Sequence, residues 1–180
     1  MGRDKENNEM RDHNYFMDQA LELATAALAA GEFPVGCVMV ADDQVVSTGQ
    51  RANSREEVNE IDHAEVIALR HLLRHNQQAP DPAAITVYST LEPCLMCYST
   101  MLISGIRSFV FAFEDAMGGG TGLNLSHLPP LYQEMRPAIK GHVRRNESLA
   151  LFQKFFNAPN SDYLQDTYLA QYTLAQRRQS

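Results

Sequence analysis

Ile85-Thr86-Val87-Tyr88-Ser89-Thr90-Leu91-Glu92-Pro93-Cys94-Leu95-Met96-Cys97-Tyr98-Ser99-Thr100-Met101-Leu102-Ile103-Ser104-Gly105 reads as one strand feeding directly into one helix. Ile85 to Ser89 is rich in β-branched and aromatic side chains and follows a loop, Asn76 to Ala84, that holds two prolines. Pro93 suits the entry of a helix, where a missing N–H costs little, and Gly105 suits its end. Cys94 and Cys97, three residues apart, then lie on one face of the first turn. The positive end of that helix favours thiolates there.

Working outward, the same alternation recurs. Asn14 to Ala30 has apolar residues at helical spacing and stops at Gly31. Val35 to Val40 and Val45 to Thr48 are short β-rich runs around Ala41-Asp42-Asp43-Gln44, a hairpin signal. A polar stretch from Gly49 to Asp62 leads into a second helix, His63 to about His75. Ser108 to Phe113 is a further apolar strand, Ile139 to Val143 a weaker fifth, and Asn146 to Asn157 a helix with a stripe of Leu149, Phe152, Phe155 and Phe156. Strands alternating with helices predict a three-layer α/β/α sandwich on a mixed sheet. Ala158-Pro159-Asn160 breaks the chain, and Ser161 to Gln176 reads as an extra helix. The expected division is therefore a domain over 1–157 and a C-terminal helical extension over 158–180.

The chain has 180 residues, 44% hydrophobic and 21% charged, enough for one domain with a real core. No apolar run reaches the roughly 18 residues a membrane span needs, and Met1 to Asp12 lacks a signal-peptide core. Three cysteines, two of them in one motif, fit a reducing cytoplasmic setting, with Cys37 as a small buried hydrophobe. The net charge of −7 is unevenly spread: residues 1–135 carry 8 basic and 19 acidic side chains, residues 136–180 carry 7 and 3. Arg136, Lys140, Arg144, Arg145 and Lys154 offer either a local phosphate-binding face or ordinary solvated charge.

The chemistry lies in His63-Ala64-Glu65 together with Pro93-Cys94-Leu95-Met96-Cys97. One imidazole and two thiolates leave a tetrahedral Zn²⁺ with one open position, the arrangement of a catalytic rather than a structural site. Glu65 need not be a ligand and is placed to move protons for water at that position. A lone C-x-x-C is also compatible with a redox pair or half a structural zinc site, with His71, His75, His127 or Cys37 completing it. His71 and His75 have no carboxylate between them in the H-E-x-x-H manner, and read as surface or structural residues. Gly118-Gly119-Gly120-Thr121-Gly122 has no lysine at a P-loop position and reads as a mobile loop.

The H-x-E and P-C-x-x-C pair is the signature of zinc nucleobase deaminases. With Phe33 to Val40, His63 to Arg70 and Thr90 to Cys97, the chain resembles the cytidine deaminase-like superfamily, and within it the tRNA adenosine deaminases. The resemblance covers roughly residues 12–157. It implies a five-stranded sheet flanked by helices, one zinc per subunit on His63, Cys94 and Cys97, Glu65 as proton shuttle, and a homodimer. It also draws in Asn53, Phe33, Asp62 and Phe156 as candidate substrate-binding residues. The implied reaction is hydrolytic deamination, adenosine to inosine at the wobble position of tRNA. The alternatives are deamination of a free base or nucleoside, such as guanine or cytosine, and a noncatalytic zinc-stabilised interaction protein, which would have no use for Glu65. Three departures bear on the substrate. Asn53 matches the family's base-holding Asn only with a small insertion; Asn59-Glu60-Ile61-Asp62 replaces the usual Asp-Pro pair; and a tyrosine-rich tail replaces a basic last helix.

Overall fold

The computed structural model describes residues 3–54, 58–75, 80–159 and 162–177, with Arg3 to Asp12 and His75 as backbone only. Helix α1 (Arg3–Ala29) starts upstream of the expected Asn14 and is followed by Gly31 in a left-handed conformation, φ 79°. Strands β1 (Gly36–Ala41) and β2 (Gln44–Gln50) form the expected hairpin. Asp42 and Asp43 both take positive φ, 50° and 56°, the two-residue geometry that matches the right-handed twist of paired strands. The order continues with α2 (Ala64–His75), β3 (Thr86–Leu91), α3 (Leu95–Ile103), β4 (Ser108–Phe113), α4 (Pro130–Gln133), β5 (Ala138–Lys140), α5 (Arg145–Phe156) and α6 (Tyr168–Ala175).

The five strands form one mixed sheet in the order β2-β1-β3-β4-β5. β1 is antiparallel to both its neighbours, whereas β3, β4 and β5 run parallel. Strand alternation sorts the core into two layers. Cys37, Met39, Val87, Phe109 and Phe113 face α2 and α3, with Ala68, Leu72, Met101 and Leu102 among their partners. Val38, Val40, Tyr88, Val110 and Ala112 face α1 through Phe16, Met17, Ala20 and Leu21. All of β1 is buried because helices cover both its faces. Cys37 lies wholly within this core, and burial pushes its thiol pKa up, so it packs as a small apolar residue.

Two expectations needed adjusting. The fifth strand is shorter than Ile139 to Val143, since His142 and Arg144 take positive φ, 69° and 57°, and cannot continue it. The last helix begins at Tyr168, not Ser161: Leu164 and Asp166 are left-handed, and the Thr167 hydroxyl caps α6 by accepting from Ala170 N–H at 3.3 Å. Residues 160 and 161 lie outside the described residues. α5 and α6 send Leu149, Phe152, Phe155, Phe156, Leu169 and Ala170 into the α2–α3 side of the core.

Two glycines set how closely helices approach the sheet. An added Cβ at Gly36 would overlap the Ala20 carbonyl oxygen of α1 and lie 2.8 Å from Ala24 N. One at Gly49 would overlap the Ala64 carbonyl oxygen and lie 2.7 Å from Ala68 N, within the first turns of α2. Gly49→Ala is expected to lower unfolding free energy by about 1–3 kcal/mol through overpacking against backbone. Urea melting checks this, and bound zinc should fall with it because His63 directly precedes α2; an unchanged midpoint would show that the approach at Gly49 is not a constraint.

Candidate metal centre and pocket

Two helix starts converge on one end of the sheet. The His63 carbonyl accepts the first intrahelical bond of α2, from Ile67 N–H at 2.9 Å, so His63 stands just ahead of that helix. Cys94 is the N-cap residue of α3 and Cys97 sits one turn in, fully buried. His63 Nδ1 is 3.5 Å from Cys94 Sγ and 3.4 Å from Cys97 Sγ. The three ligand atoms lie within 4.8 Å of one another, the one such group of three His, Cys, Asp or Glu residues among the described residues. A tetrahedral ion with Zn–N near 2.0 Å and Zn–S near 2.3 Å needs N···S separations of about 3.5 Å. The donor set therefore fits zinc in spacing as well as in kind. No disulfide competes for the thiols, all three of which are free.

The cluster is electrostatically coupled. A hydrogen bond from Cys97 lowers Cys94 to about 4 against the cost of burial, and the His63 contact adds to this. The same pairing and burial push Cys97 up. His63 is raised, first by its hydrogen bond with Cys94. A cation taking these ligands must displace their protons, so binding weakens as pH falls.

Glu65, in the first turn of α2, is buried, and burial raises its pKa despite opposing hydrogen bonds. Its Oε1 accepts from Ser89 Oγ at 3.1 Å, and its Oε2 lies 3.6 Å from Cys97 Sγ. Glu65 thus stands beside the ligand triangle without joining it.

The glycine run is tied down and is not the mobile loop its sequence suggests. Gly120 N–H donates to Pro93 O at 2.9 Å, Gly118 N–H to Asp115 Oδ1 at 2.8 Å, and the Thr121 hydroxyl to Glu92. Gly119 pairs with Cys94 as an isolated bridge, and a Cβ there would lie 2.5 Å from Glu92 Oε2. Its role is to brace the Cys94 peptide.

A cavity of about 190 Å³ opens beside these residues, with Phe33, His63, Glu65 and Cys94 on its walls. Of the other sequence candidates, Phe33 lines it, whereas Asn53, Asp62 and Phe156 are not among its lining residues. Asp62 pairs with Arg70, Asn53 O accepts from Asn59 N–H, and Phe156 packs against Phe33 at 6.0 Å between ring centroids. The sequence analysis did not pick out Arg51, Glu60, Tyr163 or Leu169 as site residues; all four line the cavity. The sequence carried no signal for Arg51 beyond a charge directly after β2, a strand that is mostly exposed or half-buried.

The tail that supplies Tyr163 and Leu169 is anchored through α6. Arg145, buried at the start of α5, pairs with Glu114 and donates to Gln176 Oε1 at 3.1 Å, while Tyr172 OH donates to Glu114 at 2.8 Å. Arg144 pairs with Asp18 at 2.8 Å. Of the basic cluster read from the sequence, these two arginines are thus spent on internal contacts, and the exposed remainder is Arg136, Lys140 and Lys154.

Residues 10–113 match the family described as the cytidine and deoxycytidylate deaminase zinc-binding region. The chain belongs to this family. The deaminase is 32% identical over 160 residues to tRNA-specific adenosine deaminase 2 of Xenopus tropicalis, covering 81% of this chain and 92% of the relative. It is 29% identical over 156 residues to the tRNA-specific adenosine deaminase of Agrobacterium fabrum, covering 85% and 99%. A solved structure from studies of A-to-I editing by tRNA:A34 deaminases superposes with a TM-score of 0.63 at 26% identity, over 76% of this chain and 98% of that one. The guanine deaminase of Nitrosomonas europaea shares the fold, with a TM-score of 0.60 at 21% identity over 79% and 83%.

Two outcomes are expected of this deaminase. Cys97→Ala should abolish stoichiometric zinc, measured by atomic emission after dialysis, while retained zinc would remove Cys97 from the ligand set. Glu114 is opposed by burial but held below the usual carboxylate range by Arg145, then by its own backbone and Tyr172. Its contribution is therefore present above the unfolded carboxylate pKa, near 4.3, and is lost as pH falls through the lower folded value. Proteolysis of the tail should accelerate in that window in the wild type; Glu114→Gln should already show the faster rate at neutral pH.

Proposed function

We propose that the chain is a zinc-dependent hydrolytic deaminase that converts adenosine to inosine at the wobble position of tRNA. The observation that carries the hydrolytic part is the triangle of His63, Cys94 and Cys97, with buried Glu65 beside it and a cavity in front. A zinc ion on those three ligands supplies a Lewis acid that lets water ionise near neutral pH. Glu65 then has two duties. Its carboxylate takes one proton from the attacking water and delivers it to a ring nitrogen of the base, then takes the hydroxyl proton of the adduct and gives it to the amino group, which leaves as ammonia as the carbonyl forms. Ser89 Oγ holds Glu65 Oε1, which leaves Oε2 as the oxygen that serves the reaction. Phe33, Val35, Leu91 and Leu169 give apolar walls for a flat ring.

The similarity to tRNA-specific adenosine deaminases in both sequence and fold supports the substrate. A specific observation favours a second reading, a free base or nucleoside: Tyr163, Leu164 and Leu169 of the tail form part of the cavity wall. We assign residues 1–157 to the deaminase domain and 158–180 to a C-terminal segment that completes its pocket. A homodimer is supported by the apolar side chains that α3 and the glycine loop leave exposed, Leu95, Ile103, Met117 and Leu123. No described helix is long and apolar enough to cross a membrane, and the free thiols support a cytoplasmic site of action.

Incubation with tRNA and, separately, with free bases and nucleosides decides the substrate, with inosine and ammonia as readouts. Inosine at the first anticodon position is expected; turnover of a free base with none of tRNA would overturn the tRNA reading. Glu65→Ala should keep its zinc and lose at least about 10³-fold in kcat. Near-wild-type turnover by that variant would remove Glu65 from the mechanism.

A further inference from the structure

Arg51 is the largest fully buried side chain among the described residues, 2% exposed, and it forms part of the cavity wall with His63 and Glu65. A buried guanidinium is costly unless its donors are met. Nη1 donates to Asn59 O at 2.9 Å, and Nη2 to Glu60 Oε2 at 3.4 Å and to Tyr163 OH at 3.3 Å. Tyr163 in turn donates to Glu60 Oε2 at 2.9 Å and lays its ring 5.5 Å from the guanidinium carbon. Of the five N–H donors, Nε–H has no partner although it is buried. The counter-charge is weak, since Glu60 is 58% exposed and shares Oε2 with Arg51, Tyr163 and, at 3.5 Å, His63 Nε2. The unmet Nε–H is itself buried, so a ligand meets this cation through the part of the guanidinium on the cavity wall, beside Glu65.

We propose that Arg51 is the specificity-determining residue of the pocket, donating to an acceptor on the base other than the ring nitrogen that Glu65 protonates. The inference rests on the reading that this site deaminates a base. It selects aminated heterocycles with a second acceptor, a ring nitrogen or carbonyl oxygen, on an edge away from the reacting carbon. Tyr163 and Glu60 act as positioning residues that fix the guanidinium plane. The physical reason for selectivity is the cost of leaving a buried charged donor unmet when the substrate lacks that acceptor.

The test is a cycle on the zinc-loaded, full-length protein. Substrates are an anticodon stem-loop with adenosine at the first anticodon position and the same stem-loop with 3-deaza- or 7-deazaadenosine. Wild type should lose roughly 10- to 100-fold in kcat/KM on one of the two deaza substrates. Arg51→Met should lose a similar factor on adenosine, chiefly in KM, and no longer distinguish that deaza substrate from adenosine. Arg51→Lys keeps the charge with less directed donors, and serves if the methionine variant does not fold; it should weaken the same discrimination and no other. Tyr163→Phe should reduce the discrimination partially with zinc content unchanged. Unchanged discrimination in the Arg51 variants would overturn the proposal and show that Arg51 only ties down the Asn59–Glu60 turn. Wild type inactive on the adenosine stem-loop but active on a free base would overturn the tRNA reading alone. The same cycle, run on that base and its deaza analogues, then decides Arg51.

Discussion

The backbone contact at Gly49 is the constraint on which the site depends. Strand β2 can meet α2 closely enough to bring the Ala64 carbonyl within what would be Cβ space only because residue 49 has no side chain. That contact fixes the first turn of α2, and therefore His63 and Glu65, relative to the sheet. The second half of the site is fixed through β3, whose C-terminal end runs by way of Glu92 and Pro93 into α3 and its two cysteines. Since only β1 separates β2 from β3 in the same sheet, the two halves of the site are placed by one platform. Backbone-to-backbone packing of this kind gives tighter positioning than side chains in a core, which retain rotamer freedom.

The parts of the molecule legible in the sequence are those whose signal is local. Ile85 to Ser89 announces a strand, Cys94 to Ser104 a helix, and the Asp-Asp hairpin its own turn, because period, β-branching and turn chemistry act within a few residues. The candidate ligand set was legible for a different reason: one imidazole and two thiols in the H-x-E and P-C-x-x-C spacing are chemically distinctive. What escaped was non-local. Arg51 and Tyr163 are 112 residues apart, and nothing in either neighbourhood says that they meet. Asp162 to Asp166 carries no glycine, so the left-handed Leu164 and Asp166 that delay α6 left no sign in the sequence. The glycine run misled in the opposite way. Its residues permit mobility, but Glu92, 27 residues upstream of Gly119, uses their small size to hold the loop against Cys94.

Charge tells a related story. An acidic chain with a basic C-terminal quarter invites a phosphate-binding reading, yet Arg145 is buried on Glu114 and Arg144 is paired with Asp18. Two of the seven basic residues of that quarter thus fasten the start of α5 to the acidic body. The exposed Arg136, Lys140 and Lys154, with the exposed Arg177 further along, are what remains there for an anionic partner.

The tail also supplies part of the cavity wall. A base drawn out of an RNA loop has lost stacking worth a few kcal/mol, which apolar walls such as Phe33 and Leu169 can return on burial. Tyr163 and α6 are held in different ways. Leu169 and Ala170 are buried, and α6 is fastened through Tyr172 and Gln176 to the Arg145–Glu114 ion pair. Tyr163 packs its ring edge-on against Phe33 at 5.4 Å between centroids, meets the Arg51 guanidinium and donates to the exposed Glu60. The tail therefore contributes to the cavity wall through two separate anchorages, one polar and aromatic at Tyr163 and one apolar at Leu169.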